Sequence, residues 1–270
     1  MPGSYGNMNK YYKFLRKSLI ELKKNDGFTL AEVLITLGII GVVAAMTIPT
    51  LIANVQGQRV RSQFKKTLST LNQAGKMAQA QYDFDFGGID SHCIGSGQLT
   101  DGDDINPEKT HSMCALLMGT LKGASSPGII TNTSYSAKIV SNFYKSNDYD
   151  RIFRIFNLAD GAIFAFNADL ENCTVPTGIV SSDILMVETD SQGVIIGEVG
   201  LGKCIGFIDV NGTSLPNKEV TCSDGTAALD PQNPCVVSNK NIGDVIPVVF
   251  HDGVVEPATN AGKYLLNTAK

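Results

Sequence analysis

Residues 27 to 53 read GFTLAEVLITLGIIGVVAAMTIPTLIA, and Glu32 is the only charged side chain in this run. As a helix, the segment from Phe28 to Ala53 would be roughly 39 Å long, whereas the hydrocarbon core of a bilayer is about 30 Å thick. The run is therefore long enough to span a membrane. An ionisable group costs about 2.5 kcal/mol or more near the bilayer centre, so we expect Glu32 to have a role that offsets this cost.

The segment before this run is basic. It contains six Lys and Arg side chains but only two acidic ones. Because basic residues beside a span tend to stay in the cytoplasm, this asymmetry predicts a single pass with the C-terminal part outside. A secretory signal peptide has its small-residue cleavage site after the apolar run, whereas here the small residue, Gly27, precedes it. We therefore expect the anchor to be retained.

The hexapeptide at residues 27–32 resembles the processing motif of type IV pilins and type II secretion pseudopilins. In that family a membrane-embedded prepilin peptidase cuts after the glycine and methylates the new N-terminal residue. The resemblance implies cleavage between Gly27 and Phe28, N-methylation of Phe28 and an assembly role for Glu32. Pro49 also falls at a position where the family usually has proline.

One residue near the junction departs from the family pattern. Asp26 stands where a basic residue is more usual, although Lys23 and Lys24 lie close by. We expect this departure to slow processing at most. A plain signal anchor is the simpler interpretation, but it explains the apolar run without explaining Glu32 or the Gly27–Phe28 junction.

Beyond the anchor the chain is acidic and rich in turn residues. The whole chain has a formal charge of −4 and residues 1–27 contribute +4, which leaves −8 for the rest. A nucleic-acid partner is therefore not expected, except for a DNA-uptake pilin. Charged residues make up 18% of the chain and Trp is absent, a composition that suits an exported, β-rich head.

All six cysteines follow the anchor. An even count in an exported domain predicts disulfides, although sequence alone does not choose the pairing. We expect neighbours to pair, which gives Cys93 with Cys114, Cys173 with Cys204, and Cys222 with Cys235. The alternative for the first pair is a zinc site formed with His92 and His111, since zinc prefers this ligand set.

After Ala53 the helix is predicted to continue as an amphipathic one. Apolar or small residues recur every three to four positions: Val60, Phe64, Leu68, Leu71, Gly75, Ala78 and Tyr82. We expect the intervening basic residues to point away from the head, and Pro49 to kink or loosen the helix. The predicted organisation is a cleaved leader (1–27), a transmembrane assembly helix (28–53), an amphipathic helix (54–82) and a head (83–270).

The head is predicted to be mostly β-structure. Residues 83–107 look like a linker, and Asn106-Pro107-Glu108 predicts the start of a short helix that ends near Lys122. Alternating patterns predict an antiparallel sheet of about four to six strands. The predicted strands are 151–158, 162–167, 184–188, 194–199, 205–210 and 245–250. The resemblance implies a pilin-like α+β fold with this sheet against the second half of the long helix.

Two kinds of chemistry can be considered in the head. The stretch from Asp209 to Gly212, followed by Gly243-Asp244, resembles a C-terminal stretch of pseudopilin-like heads, some of which bind calcium. Asp209, Asn211 and Asp244 would supply oxygen ligands. We favour the alternative that they cap backbone N–H groups in turns. Catalysis is not expected, because no Ser, His and Asp set stands in a motif and no phosphate-binding loop is present.

These observations predict a structural subunit. The chain would wait in the inner membrane, be trimmed by prepilin peptidase, and polymerise through residues 28–53 into a type II secretion pseudopilus or a type IV pilus-like filament. Other subunits and the assembly platform would be its partners. In the membrane Glu32 is expected to lack a strong partner, whereas in the fibre it would neutralise the amine of Phe28 on a neighbour. The alternative is a monomeric, membrane-tethered binding protein or adhesin.

Overall fold

The computed structural model describes residues 28–93, 105–130, 153–168, 170–174, 188–189, 195–197, 204–212, 214, 216–225, 233–240 and 242–268. Its architecture is α+β and pilin-like, with a long N-terminal helix and a six-stranded antiparallel sheet, as predicted. The chain divides into two units, Met1–Leu51 and Ile52–Lys270, and the sheet belongs to the second. The predicted leader and Gly27 lie outside the described residues.

Helix α1 (Leu30–Tyr82) is 53 residues long and contains Pro49. The predicted stripe in its second half is confirmed: Phe64 and Leu71 are fully buried, and Gly75 is buried with them. Gly75 is needed because a Cβ built there would lie 2.6 Å from Cε2 of Phe86. The helix ends just before Asp83, whose φ of 62° is left-handed and breaks the helical repeat.

The sheet is antiparallel throughout. Its strands are β1 (Ser125–Ile130), β2 (Phe153–Asn157), β3 (Ile163–Asn167), β6 (Ile205–Asp209), β7 (Val245–His251) and β8 (Val254–Pro257), in this spatial order. The predicted hairpin at Asp160-Gly161 joins β2 to β3. In its turn Gly161 has a φ of 86°, and the backbone N–H of Leu158 donates to the carbonyl of Ala162 at 2.8 Å.

The core lies where the sheet meets the second half of α1. Because successive side chains of a strand point to opposite faces, Phe164 and Phe166 of β3 join the main cluster together with the stripe of α1. On the opposite face Phe153, Ala165 and Phe207 form a smaller cluster. All described positions of β3, β6 and β7 are buried, so these strands are covered on both faces.

The short helix in the head begins later than predicted. Helix α2 spans Met113–Thr120, and the hydroxyl of Ser112 caps it by accepting from the N–H of Ala115 at 3.1 Å. Asn106 does cap a backbone group, since its side chain accepts from the N–H of Glu108 at 3.0 Å. However, this cap closes an isolated turn, so the prediction of a helix from Asn106 was wrong.

Two further predictions about the head were wrong. Residues 83–93 are not a linker, because Phe84, Phe86 and Ile89 are buried in the main core. Burial of these apolar side chains fixes the segment against the core, although its glycines are typical of a linker. The predicted hairpin at 184–199 does not join the main sheet, because β4 (Glu188–Thr189) and β5 (Ile195–Gly197) form a separate two-stranded sheet. The remainder of those two predicted strands lies outside the described residues.

The C-terminal helix was not predicted. Helix α3 (Asn260–Asn267) follows β8, and the hydroxyl of Thr259 caps it. It changes the surroundings of two basic residues of α1 that were expected to point away from the head. The guanidinium of Arg61 lies 5.8 Å from the ring centroid of Tyr264, and Nζ of Lys65 donates to the carbonyl of Thr268 at 3.2 Å. Arg61 is consequently buried.

Candidate functional site

The N-terminal end of α1 is closed by a reciprocal pair of hydrogen bonds between Thr29 and Glu32. One carboxylate oxygen of Glu32 accepts from both the backbone N–H and the hydroxyl of Thr29, each at 2.8 Å. In return the N–H of Glu32 donates to the hydroxyl of Thr29 at 3.3 Å. This arrangement is a capping box, which satisfies two donors that the first turn of a helix leaves without partners.

This geometry corrects one expectation about Glu32. Its carboxylate was expected to lack a strong partner before assembly, but Thr29 supplies two donors within the same chain. Both donors belong to Thr29, so they persist in a chain that begins at Phe28. Thr29 was missed in the sequence, although the pattern Thr-x-x-Glu before an apolar run is a known signal for a capping box.

The apolar side chains of the first half of α1 are exposed. Leu34, Ile40 and Leu51, for example, are 61%, 63% and 64% exposed. An exposed apolar surface of this length is rare on a soluble monomer and indicates contact with lipid or protein. The helix is long and apolar enough to cross a membrane, and this fits a membrane-anchored protein.

The threonine hydroxyls of this segment are satisfied within the helix. Hydroxyls of Thr36, Thr47 and Thr50 donate to backbone carbonyls three or four residues earlier, at 2.8 to 3.0 Å. A bilayer core offers no water to such groups, so internal bonding suits a lipid environment. Gly38 and Gly41 leave open space where a Cβ would stand, which permits a neighbouring helix to approach closely.

The six cysteines form the expected disulfides, with Cα atoms 5.8, 5.7 and 5.3 Å apart in chain order. The four cysteines of the first two bonds are at most 6% exposed. Cys222 and Cys235 are partly exposed, and the chain just after Cys235 reaches α1. There the side chain of Asn239 donates to the side chain of Asn54 at 3.3 Å.

The alternative zinc site is not formed. The sulfur atoms of Cys93 and Cys114 form a disulfide and so are not free to bind zinc. The two histidines lie near carboxylates. His92 lies 3.2 Å from Glu171 and His111 lies 3.6 Å from Asp90. Within the described ranges, no group of three or more His, Cys, Asp and Glu side chains is arranged to hold a metal ion.

The acidic residues proposed for calcium lie at adjacent ends of two paired strands. Asp209 ends β6 and Asp244 precedes β7, and both are buried. The carboxylate of Asp244 accepts from the backbone N–H groups of Asn217 and Lys218 at 3.0 and 2.8 Å, and Asp209 accepts from the N–H of Asn211 at 3.3 Å. These carboxylates thus cap turns, as the favoured interpretation predicts, and calcium binding stays a prediction.

His251 stands between two carboxylates at the β7–β8 turn. Its Nε2 lies 3.1 Å from Glu256 and its Nδ1 lies 3.2 Å from Asp252. The hydrogen bond to Glu256, followed by that to Asp252, outweighs burial and raises the pKa of His251. Both ring nitrogens are therefore used in holding the turn, and Asp85 lies beside the same turn.

Two more charged residues were missed in the sequence. Arg154 of β2 is fully buried, which lowers its pKa, and it donates to the carbonyl of Cys93 and the hydroxyl of Ser126, both at 3.4 Å. Glu219 forms a parallel bridge with Val245, and burial raises its pKa to about 7. Single-residue patterns do not reveal such burial, because the covering elements are distant in sequence.

The comparisons with known proteins concern the N-terminal segment. A family model described as the prokaryotic N-terminal methylation motif matches residues 18–48. The match spans the Gly27–Phe28 junction, Glu32 and most of the apolar run, and it ends just before Pro49. The N-terminal resemblance is thereby confirmed. No curated protein and no solved structure matches the chain.

Proposed function

We propose that this chain, a prepilin-like protein of the type IV pilin and pseudopilin family, is a structural subunit that polymerises through residues 28–53. The motif itself indicates a structural subunit rather than an enzyme. In our proposal the subunit is stored in the inner membrane with residues 1–27 in the cytoplasm and the head outside. Prepilin peptidase then cuts after Gly27 and methylates Phe28. Other subunits and the assembly platform draw the trimmed chain into a filament.

The observation that carries this proposal is the exposed apolar helix with a single carboxylate. A helix that served only as an anchor would need the apolar surface and an N-terminal cap, but a neutral cap would serve without the free energy that the charge of Glu32 costs in lipid. Transfer from lipid to a protein interface gives little hydrophobic drive, because lipid is as apolar as the fibre core. In our proposal, a polar contact that forms only in the fibre therefore sets the orientation of the subunits and their axial register.

Glu32 and the terminal amine of Phe28 are the proposed contact. In the fibre the carboxylate of one subunit pairs with the methylated amine of another. Neither charge is then left without a partner in an apolar environment. The capping box leaves room for this contact, because both donors of Thr29 bind one oxygen of the carboxylate and the cationic amine can pair with the other. A charged partner forms a stronger hydrogen bond than these neutral donors, so pairing with the amine favours assembly.

The filament type is proposed from weaker features. The turn at Asp209 and Asn211 supports a type II secretion pseudopilus, whereas the large head supports a minor or specialised subunit of either filament. Calcium binding by Asp209, Asn211 and Asp244 would further support a pseudopilus, because some pseudopilin-like heads bind calcium at the corresponding stretch. The Gly27–Phe28 junction and the assembly role of Glu32 and Pro49 are common to both filament types.

Cross-linking through the helix tests polymerisation. A ladder needs two reactive cysteines per chain, because each thiol forms a single link. A chain with Leu34→Cys and Val43→Cys in its native membrane should give a ladder of cross-linked species, because both positions lie on the exposed surface of α1. Adding Glu32→Ala should leave the protein in the membrane and remove the ladder. A single monomer band from the two-cysteine chain would instead favour the alternative, a membrane-tethered binding protein or adhesin.

A further inference from the structure

The second half of α1 carries a polar surface opposite its buried stripe. Six positions, spaced alternately by three and four residues, form one continuous face of the helix. Each of them is polar and exposed: Arg59, Ser62, Lys66, Ser69, Gln73 and Lys76. At ~1.5 Å per residue this face, called the basic stripe below, is about 26 Å long. The short side chains of Ser62 and Ser69 leave room for another surface between the cations.

The charges of the chain are divided between this helix and the head. Residues 54–82 contain five basic side chains and no acidic one, whereas residues 83–270 contain 11 basic and 23 acidic side chains. The head thus has a formal charge of −12. One carboxylate of the head already reaches the basic stripe within the chain, since Lys66 lies 3.4 Å from Asp160. The lysine remains 67% exposed in that pair.

We propose that the basic stripe docks against the acidic head of a second copy of this chain. The inference rests on the proposed function and extends the assembly contact beyond residues 28–53. Two different surfaces of opposite charge on one chain make a head-to-tail contact, and such a contact builds a fibre when its rotation does not close into a ring. Exposed ion pairs are individually weak, so the stripe sets the orientation and register of neighbouring heads rather than the bulk of the affinity.

Nucleic acid fits the basic stripe less well. Three exposed cations spread along the helix offer few phosphate contacts, and affinity for nucleic acid depends on the number of such contacts. The acidic head would also repel a polyanion. A second copy meets neither difficulty, because its acidic head is the complementary partner.

The test uses the full-length chain with Leu34→Cys and Val43→Cys in its native membrane, since two linkable cysteines per chain are needed for species larger than the dimer. Replacing Arg59, Lys66 and Lys76 with Gln should reduce species larger than the dimer about tenfold, because three weak ion pairs together suffice for one order of magnitude in association. A matched control replaces Lys122, Lys218 and Lys240 with Gln. These lysines are exposed and lie outside α1, so the net charge changes equally without touching the stripe.

The control triple should keep the parent ladder, and so should a charge-preserving triple, Arg59→Lys, Lys66→Arg and Lys76→Arg. An unchanged ladder in the Gln variant of the stripe contradicts this interface alone, as does an equal loss in the control. A parent chain without any ladder contradicts the proposed assembly and this interface together. Binding of double-stranded DNA by the purified chain, lost in the Gln variant of the stripe, would assign the stripe to nucleic acid and overturn the proposal.

Discussion

Glu32 combines a local role and a proposed intermolecular role, and one substitution separates them. Glu32→Gln keeps an oxygen that accepts from Thr29 but removes the charge. We expect it to enter the membrane and to assemble about a hundredfold to a few thousandfold less, because breaking a buried ion pair costs about 3 to 5 kcal/mol and each 1.4 kcal/mol is about tenfold. The ladder from the chain with Leu34→Cys and Val43→Cys measures the loss.

Thr29→Val is the matched control for this prediction. It removes the hydroxyl from the capping box while the backbone N–H of residue 29 and the charge of Glu32 remain. We expect this variant to assemble. If Glu32→Gln assembled normally and Thr29→Val did not, the carboxylate would be acting as a helix cap and not as a charge.

His251 and Glu219 make the stability of the head depend on pH. Both have a folded-state pKa above the unfolded value, so each contributes stability that is present at low pH and lost as the pH rises. For Glu219 the loss runs from 4.5 to about 7, and for His251 it begins near 6.5 and ends at its raised pKa. The melting temperature of the full-length chain in detergent should therefore fall from about pH 4.5 to pH 8.

Two variants assign this pH dependence. Glu219→Gln should flatten the lower part of the curve, and His251→Gln should flatten the upper part. The second variant also removes the bonds to Glu256 and Asp252, so its melting temperature at low pH should lie below that of the parent. A parent curve that rises from low to neutral pH would contradict the assignment of both groups.

At the scale of elements, Asn72 joins α1 to the edge of the sheet. Its side chain accepts from the N–H of Val255 at 2.8 Å and donates to the carbonyl of the same residue at 2.9 Å. Val255 belongs to β8, the last strand of the sheet, so Asn72 occupies backbone groups that an edge strand would otherwise leave without a strand partner.

Asn72→Ala should lower the free energy of unfolding by about 1 to 2 kcal/mol, since two partly buried backbone groups lose their partner. Urea unfolding of the full-length chain in detergent measures this change. Gln73→Ala is the control, because Gln73 is exposed and bonds only weakly to Ser69. An equal effect of both substitutions would mean that Asn72 acts through the helix and not through β8.

The elements that the sequence predicted are those with a strong local pattern. The stripe of α1 from Phe64 to Ala78 and the hairpin around Gly161 follow from periodicity and turn chemistry alone. Asn106 and Pro107 gave a false helix start, because a cap can close a single turn as well as a helix. β8 and α3 are short, and they depend on contacts distant in sequence that no local pattern reveals: β8 pairs with β7 and bonds to Asn72, and α3 reaches Arg61 and Lys65.

At the scale of the whole molecule, a sequence can indicate a site whose chemistry is contained in one stretch. Gly27, Phe28 and Glu32 lie within six residues, so a short motif predicts their roles in cleavage and assembly, and these roles stay predictions. The neighbour pairing of the cysteines also agreed with the structure. In contrast, the buried Arg154 depends on Ser126 and Cys93, and the covered Arg61 depends on Tyr264. Such pairs are far apart in sequence and meet only after folding.

The division of charge is also a property of the whole chain. The leader and the second half of α1 are basic, whereas the head is acidic. The proposed removal of residues 1–27 would therefore change the formal charge of the chain from −4 to −8, before the new terminal amine is counted. In our account this cleavage does more than shorten the chain, because it creates the cationic amine that Glu32 of a neighbour accepts.

The N-terminus of the mature chain tests this account most directly. Mass spectrometry of the protein from its native membrane should find a chain that begins at Phe28 with a methylated amine, and a Gly27→Leu variant should keep residues 1–27. A parent protein that retains its leader, or that is cut after the apolar run, would contradict the account.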